Sequence, residues 1–325
     1  MNKQLSVWKL IAESLLQQTP VILLYVLESH GSSPGRQGFF MAVNAREEME
    51  GSIGGGIMEH KFVEMARVKL LAISHEPLVA DIRKQVHEKS AAKNQSGMIC
   101  SGEQTILLYR VQQEDAGPIQ NIIESLEQHK NGTLILTPPG IQFSDSIPEK
   151  DFVFTFQSDE NWMYKEKTGF KNQLFIIGGG HCALALSKLM RSMDFFIRVY
   201  DDRKELKTML QNDSAHEKHI IDDYLVLNKL ISPGNNKYVV IMTFGYRTDD
   251  IALRSLLCKE FSYLGLLGSK SKIEKMFDGY RREGIKEEWL QRIFTPIGLS
   301  IKSQTPEEIA VSIAAQIIQI KNGAH

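Results

Sequence analysis

Gln173-Leu174-Phe175-Ile176-Ile177-Gly178-Gly179-Gly180-His181-Cys182-Ala183 opens the stretch whose reading decides the fold. Leu174 to Ile177 is a short continuous apolar run, three glycines follow it, and an apolar-periodic helix is predicted from His181 to Met193. A second apolar run from Phe196 to Tyr200 closes on Asp201-Asp202. Strand, glycine turn, helix, strand and acid is the order in which a protein cradles a dinucleotide. Gly178, Gly180 and Ala183 give G-x-G-x-x-A, whose third position need only be small enough for helix to pack on strand. A turn without Cβ atoms lets a pyrophosphate approach the first N–H groups and the positive dipole end of the helix. Asp201 is placed to accept from a ribose hydroxyl. Gly178, Gly179, Gly180, His181 and Asp201 are therefore candidate ligand residues; the alternative is a doubly wound sheet with a vestigial pocket.

Outward from that stretch, further runs at His219–Ile221, Tyr238–Thr243, Tyr263–Leu267 and Arg292–Phe294 alternate with helical patterns, as a parallel sheet requires. Thr305, Pro306 and Glu308 predict a capping box with proline at the first helical position. Ile309, Ile313, Ile317 and Ile320 then form a core-facing stripe. The preceding half reads as α+β: a helix at Leu5–Gln17, strands at Val21–Ser29 and Phe39–Val43, a helix from about Ile57 to Ile73, and strands at Leu78–Val86 and Thr105–Val111. Gln142–Gly169 is polar, broken by Pro148, and ambiguous. The fold class is thus α/β, a C-terminal Rossmann-like doubly wound parallel sheet preceded by an N-terminal α+β domain, with domains 1–168 and 169–325.

Composition narrows the function classes. A chain of 325 residues, 42% of them hydrophobic, has material for two cores. A formal net charge of −1, with no Lys/Arg block, gives no attraction to nucleic acid or to an anionic membrane. No signal-like segment opens the chain and no apolar run approaches a membrane span, so a cytoplasmic protein without nucleic-acid or membrane partners is expected. The three cysteines, Cys100, Cys182 and Cys258, are far apart and give no disulfide framework or zinc pair. A homodimer is expected from symmetry statistics alone.

Two clusters in the first half also carry candidate chemistry. His30-Gly31-Ser32-Ser33-Pro34-Gly35-Arg36-Gln37-Gly38 is a polar, glycine-rich loop in which Ser32, Ser33 and Arg36 are suited to a phosphate. Gly51-Ser52-Ile53-Gly54-Gly55-Gly56 leads straight into a helix, so Gly54, Gly55 and Gly56 form a second anion-cradle candidate, with Glu59 in the first turn. Two cradles suggest one large phosphorylated ligand touching both domains; the competing reading is a pair of tight turns whose glycines supply positive φ.

Several segments, taken in order, carry a resemblance. They are Gly31-Ser32-Ser33-Pro34, Ser52 to Gly56 with Glu59, Cys100 near Gly102, Gly178-Gly179-Gly180-His181, Tyr263 to Ser269, Pro296-Ile297-Gly298-Leu299 and Thr305 to Ala310. Together they resemble the XdhC/CoxI family of xanthine dehydrogenase accessory proteins over nearly the whole chain, except Gln112 to about Gly169. The resemblance implies a chaperone of purine catabolism and no enzyme itself. Such a protein binds a molybdopterin-type molybdenum cofactor, in its free or cytidine dinucleotide form, while a cysteine desulfurase supplies the sulfido ligand. It then delivers the cofactor to an apo xanthine dehydrogenase-type hydroxylase.

Family members often have a cysteine where this chain has Ile57, Cys-Gly-Gly where it has Cys100-Ser101-Gly102, and a Thr-His-x-His-like loop where it reads Thr243-Phe244-Gly245-Tyr246. A role that needs those imidazoles is absent or moved. Cys100 stands between two readings, a molybdenum or sulfur contact and a small core residue. Cys182, in the first helical turn where the dipole would lower its pKa, is read as packing. His181 is either a donor to a phosphate or pterin oxygen or a structural imidazole. Two other functions stay open, an NAD(P)-dependent oxidoreductase and a nucleotide-sensing interaction protein, although no motif supplies a proton donor for hydride transfer.

Overall fold

The computed structural model describes residues 3–71, 80–86 and 102–323. Cys100, and the expected element ends at Ile73 and Leu78, lie outside the described residues. The chain divides into two compact units, Met1–Gly169 and Phe170–His325.

The first unit begins with α1 (Lys3–Leu16), β1 (Val21–Gly31), β2 (Phe40–Asn44), β3 (Met49–Gly51), α2 (Gly56–Leu71), β4 (Ala80–Val86) and β5 (Gly102–Arg110). The strands pair antiparallel in the order β3-β2-β1-β5-β4. Strand β1 is apolar without alternation because both its faces are covered. Val21, Leu23, Tyr25 and Leu27 pack with Val7, Trp8 and Ile11 of α1, whereas Ile22, Leu24 and Val26 pack with Met58, Phe62 and Ala66 of α2. Each fully buried aliphatic side chain contributes roughly 1.5–3 kcal/mol, so this strand anchors the unit.

The stretch from Gln112 to Gly169, to which the sequence assigns no element and whose part from Gln142 is ambiguous, is where the fold adds something new. Beyond α3 (Ala116–Glu127), strands β6 (Thr133–Thr137), β7 (Gly140–Ser144), β8 (Phe152–Ser158) and β9 (Asn161–Lys167) form a second antiparallel sheet, ordered β7-β6-β9-β8. Its signal was the alternation of β9, whose buried residues are Trp162, Tyr164 and Glu166. The charge at Glu166 masked it. That carboxylate is buried because Oε2 accepts from Tyr25 Oη at 2.6 Å and from Tyr164 Oη at 2.7 Å. Its negative charge and their burial raise the pKa of both phenols, burial being the larger cause.

The second unit runs β10 (Asn172–Ile177), α4 (His181–Arg191), β11 (Phe195–Asp201), α5 (Lys207–Leu210), β12 (Glu217–Ile220), α6 (Leu227–Leu230), β13 (Gly234–Ile241), α7 (Tyr246–Leu256), β14 (Phe261–Leu266), α8 (Lys270–Arg282), α9 (Glu287–Leu290), β15 (Ile293–Phe294) and α10 (Pro306–Lys321). All strand pairs are parallel and the order is β12-β11-β10-β13-β14-β15, the doubly wound Rossmann order. Leu174 and Ile176 of β10 pack under α4 and α10, and Phe175 and Ile177 pack on the opposite core with Ala252 and Leu253 of α7. The last helix has the expected capping box: Thr305 Oγ1 accepts from Glu308 N at 3.2 Å and Glu308 Oε2 accepts from Thr305 N at 3.3 Å. Of its stripe, Ile313 and Ile317 are fully buried, with Ile309 and Ile320 at the margin.

Candidate functional site

Strand order reverses between β10 and β13, so the loops after their C-terminal ends flank the crevice where doubly wound sheets bind ligands. The three glycines of the first loop have three different jobs. Gly178 has φ +107°, and a Cβ there would lie 2.3 Å from the Met242 carbonyl oxygen, so this position is closed to any side chain and brings the two loops into backbone contact. Gly179 donates its N–H to Asp201 Oδ2 at 2.7 Å, while its carbonyl accepts from Thr208 Oγ1 at 2.6 Å. Gly180 is the N-cap of α4 at φ −71°, and a Cβ on it would find no atom within 4 Å. The first bond into the helix runs from Leu184 N to Gly180 O at 3.0 Å, so the N–H groups of His181 to Ala183 precede intrahelical pairing.

Asp201, expected to face a ribose, is used differently. The residue has no exposed surface, and its oxygens accept from Gly179 N, from Arg203 N at 2.9 Å, and from Arg203 Nε and Nη2 at 2.8 Å each. Burial alone would push its carboxyl up; the Arg203 guanidinium and the two N–H groups outweigh it and hold the pKa below the usual carboxylate range. The same bond raises the Arg203 pKa. The acid is therefore a clamp on the glycine turn, and its neighbour Arg203 is the residue presented outward. The guanidinium carbon lies 5.5 Å from the centroid of the Phe244 ring, which is 86% exposed. The loop carrying Phe244 is pinned by buried Asp249, whose Oδ1 accepts from Thr243 N at 2.9 Å and Thr243 Oγ1 at 2.6 Å and whose Oδ2 pairs with Lys272.

His181 is exposed and lines, with Leu184, Lys188, Pro306 and Glu307, a groove of about 440 Å³ between α4 and α10. Cys182 packs against the core under α4 and α10, as expected: burial pushes its thiol up, with the Glu307 carboxylate adding to the shift, so helix position does not make it a reactive thiolate.

In the first unit, the two glycine-rich loops that look separate in the sequence are interlocked. A Cβ on Gly35 would lie 1.9 Å from the Ile53 carbonyl oxygen, and one on Gly54 would lie 2.3 Å from Gly35 N. Gln104 Nε2 ties the contact by donating to Gly35 O at 2.8 Å. The second anion cradle is filled by the protein itself. Glu59 Oε2 accepts from Ser52 Oγ at 2.6 Å, Ile53 N at 2.9 Å and Gly55 N at 3.0 Å. That carboxylate sits where a bound phosphate was expected, because a side chain tethered on the same helix faces no association cost. Gly55 and Gly56, at φ +75° and +69°, supply the left-handed backbone that aims those N–H groups inward. Ser33 Oγ is turned into the loop, donating to Gly35 O at 3.1 Å, and Arg36 Nη1 donates to Gly31 O at 2.9 Å. Ser32 and Arg36 are exposed. Among the described residues no group of three or more His, Cys, Asp or Glu side chains is placed to hold a metal ion.

The residues that the sequence did not single out are Arg203, Thr208, Asp249 and Lys272. Only Arg203 left a signal, as the residue completing Asp201-Asp202-Arg203.

A doubly wound unit with an open glycine turn at its switch point defines the class, a Rossmann domain, joined to an α+β unit. The chain matches the XdhC Rossmann domain over residues 174–317 and the XdhC and CoxI family over residues 14–78, and it belongs to that family. Uncharacterized protein YqeB of Escherichia coli K12 is 26% identical over 310 residues, covering 95% of this chain. The chain spans only 45% of the length of YqeB. A Bacillus subtilis 168 protein, named as a probable subunit of xanthine dehydrogenase, is 22% identical over 330 residues, covering 95% of this chain and 96% of its own. A crystal structure described as a xanthine dehydrogenase from Bacillus halodurans superposes with a TM-score of 0.70 at 22% identity, over 98% of this chain and 96% of that one. At such identity the likeness is one of fold. Among the described residues no helix is long and apolar enough to cross a membrane.

Proposed function

We propose that the chain is an accessory protein of a xanthine dehydrogenase-type molybdenum hydroxylase, binding a molybdopterin-type cofactor and supporting its sulfuration and insertion. The observation that carries this reading is the turn at Gly180: in a chain of the XdhC/CoxI family, a Cβ at the N-cap of α4 would meet no atom within 4 Å beyond its chain neighbours. The residues fit a phosphorylated ligand. Gly180 admits a pyrophosphate to the N–H groups of the first turn, Arg203 offers the face of a guanidinium already paired with Asp201, and Phe244 an apolar face. When bound, the cofactor carries the molybdenum that the hydroxylase uses; the contact proposed for Cys100 belongs to residues outside those described. The name of the Bacillus subtilis relative supports a hydroxylase as the client. A cysteine desulfurase completes the proposal as the sulfur source.

The test is made in cells. Deletion of this protein should leave the hydroxylase synthesised, with its other redox centres present but its molybdenum site empty or lacking the sulfido ligand. Hydroxylase that is fully active and sulfurated in the deletion strain overturns the reading. Turnover of NAD(P)H by the purified protein, with hydroxylase activity intact in that strain, would replace it with an oxidoreductase.

A further inference from the structure

We propose that Phe244 and Arg203 form a seat for a nucleotide base, so that the second unit selects a nucleotide-bearing ligand over one without a base. This deepens the reading above and rests on it only in taking the β10/β13 crevice as the ligand site. Phe244 is a large apolar side chain left 86% exposed at the point where strand order reverses. The backbone that leads into it and the guanidinium beside it are both held. Behind it, Thr243 is locked to buried Asp249, and Met242 is in backbone contact with the turn at Gly178. Beside it, the Arg203 guanidinium cannot swing away, since Nε and Nη2 are engaged by the buried Asp201 carboxylate, which is also fixed by Gly179 N.

The result is an exposed flat face with a guanidinium 5.5 Å from its centroid, on the loop whose Met242 carbonyl abuts Gly178, two residues before the open Gly180 turn. An aromatic base carried on a phosphorylated sugar matches these elements: its ring stacks on Phe244 beside the Arg203 guanidinium plane, and its pyrophosphate reaches the helix N-terminus. Asp201, saturated by Gly179 and Arg203, contributes no acceptor for a ribose hydroxyl, so base stacking and phosphate charge set the selection instead.

The experiment is calorimetry on the full chain with ADP, CDP and inorganic pyrophosphate, comparing wild type with Phe244→Ala and Phe244→Trp. Phe244 is exposed, so both variants should keep the wild-type unfolding temperature. Wild type should bind at least one nucleotide more tightly than pyrophosphate, and the preference between ADP and CDP identifies the base. Phe244→Ala should weaken nucleotide binding about 5- to 150-fold, the range that base stacking on an aromatic side chain supplies. Its affinity for pyrophosphate should not change, and Phe244→Trp should restore nucleotide binding. Equal nucleotide affinity in wild type and Phe244→Ala overturns the seat, as does a wild type that binds neither nucleotide better than pyrophosphate. Equal losses in the Ala and Trp variants do so too. The accessory role is judged separately by hydroxylase in the deletion strain: a base seat with intact hydroxylase removes that role and leaves the seat standing.

Discussion

Gly178 and Gly180 are two residues apart in one turn, yet a single methyl group should destabilise the protein at the first and leave it near wild type at the second. At Gly178 the methyl meets two penalties. The backbone is at φ +107°, which an L-residue adopts only with strain of about 1–3 kcal/mol. The Cβ would also stand 2.3 Å from Met242 O, and relieving such overpacking costs a further ~1–3 kcal/mol. Gly178→Ala should therefore lose about 2–6 kcal/mol, a fall of roughly 5–20 °C in unfolding temperature for a unit of this size. At Gly180 φ is −71° and no atom lies within 4 Å of the new methyl. The gain of about 0.4–1 kcal/mol from a stiffer unfolded chain opposes the weaker capping by alanine, leaving stability within about 1 kcal/mol of wild type. The bulkier Gly180→Val should fold and lose ligand, because its side chain fills the space assigned to pyrophosphate. Urea unfolding followed by circular dichroism, with hydrogen exchange at Ile177 and Ile241 to report on this unit, measures the contrast. A Gly178→Ala protein as stable as wild type, or a Gly180→Ala protein as damaged as Gly178→Ala, would refute the division of labour.

Two further outcomes follow from the charged groups. Arg203→Ala leaves the Asp201 carboxylate buried with backbone donors only, and should cost about 2–3 kcal/mol at neutral pH, less than the ~3–5 kcal/mol of a fully enclosed pair because water reaches the guanidinium. Asp201 titrates below its unfolded value of about 3.9, so the pair's contribution is complete above that pH and disappears as pH falls through the folded value. The gap between wild type and Arg203→Ala should therefore narrow below about pH 4 in urea titrations, and a gap constant from pH 7 to pH 3 would count against the clamp. Glu59→Ala should lower stability by about 1–2 kcal/mol by emptying the cradle at the start of α2, and added phosphate should raise the unfolding temperature of the variant more than that of wild type. An equal phosphate effect in both proteins would show that those N–H groups do not form an anion site.

The sequence by itself determined the features that depend on neighbours along the chain. The glycine turn between two apolar runs, the capping box at Thr305 and the alternation of strand and helix from Leu174 onward are set by local backbone and burial preferences, so a Rossmann-like parallel sheet was legible before any packing was known. Strand β9 was not, because its alternation ends on Glu166, a charge whose burial is explained only by the hydroxyl of Tyr25, 141 residues away along the chain. The assignment of roles within the site also needed the tertiary structure. Asp201 and Glu59 both read as groups facing a ligand, and both prove to be the protein's own anions, bonded to glycine-turn N–H groups across 22 and 4 residues. A sequence shows which groups are able to bond but not which partner reaches them first. That is decided by folding, which places Asp201 against Gly179 and Arg203 and leaves Phe244 with its face to the solvent.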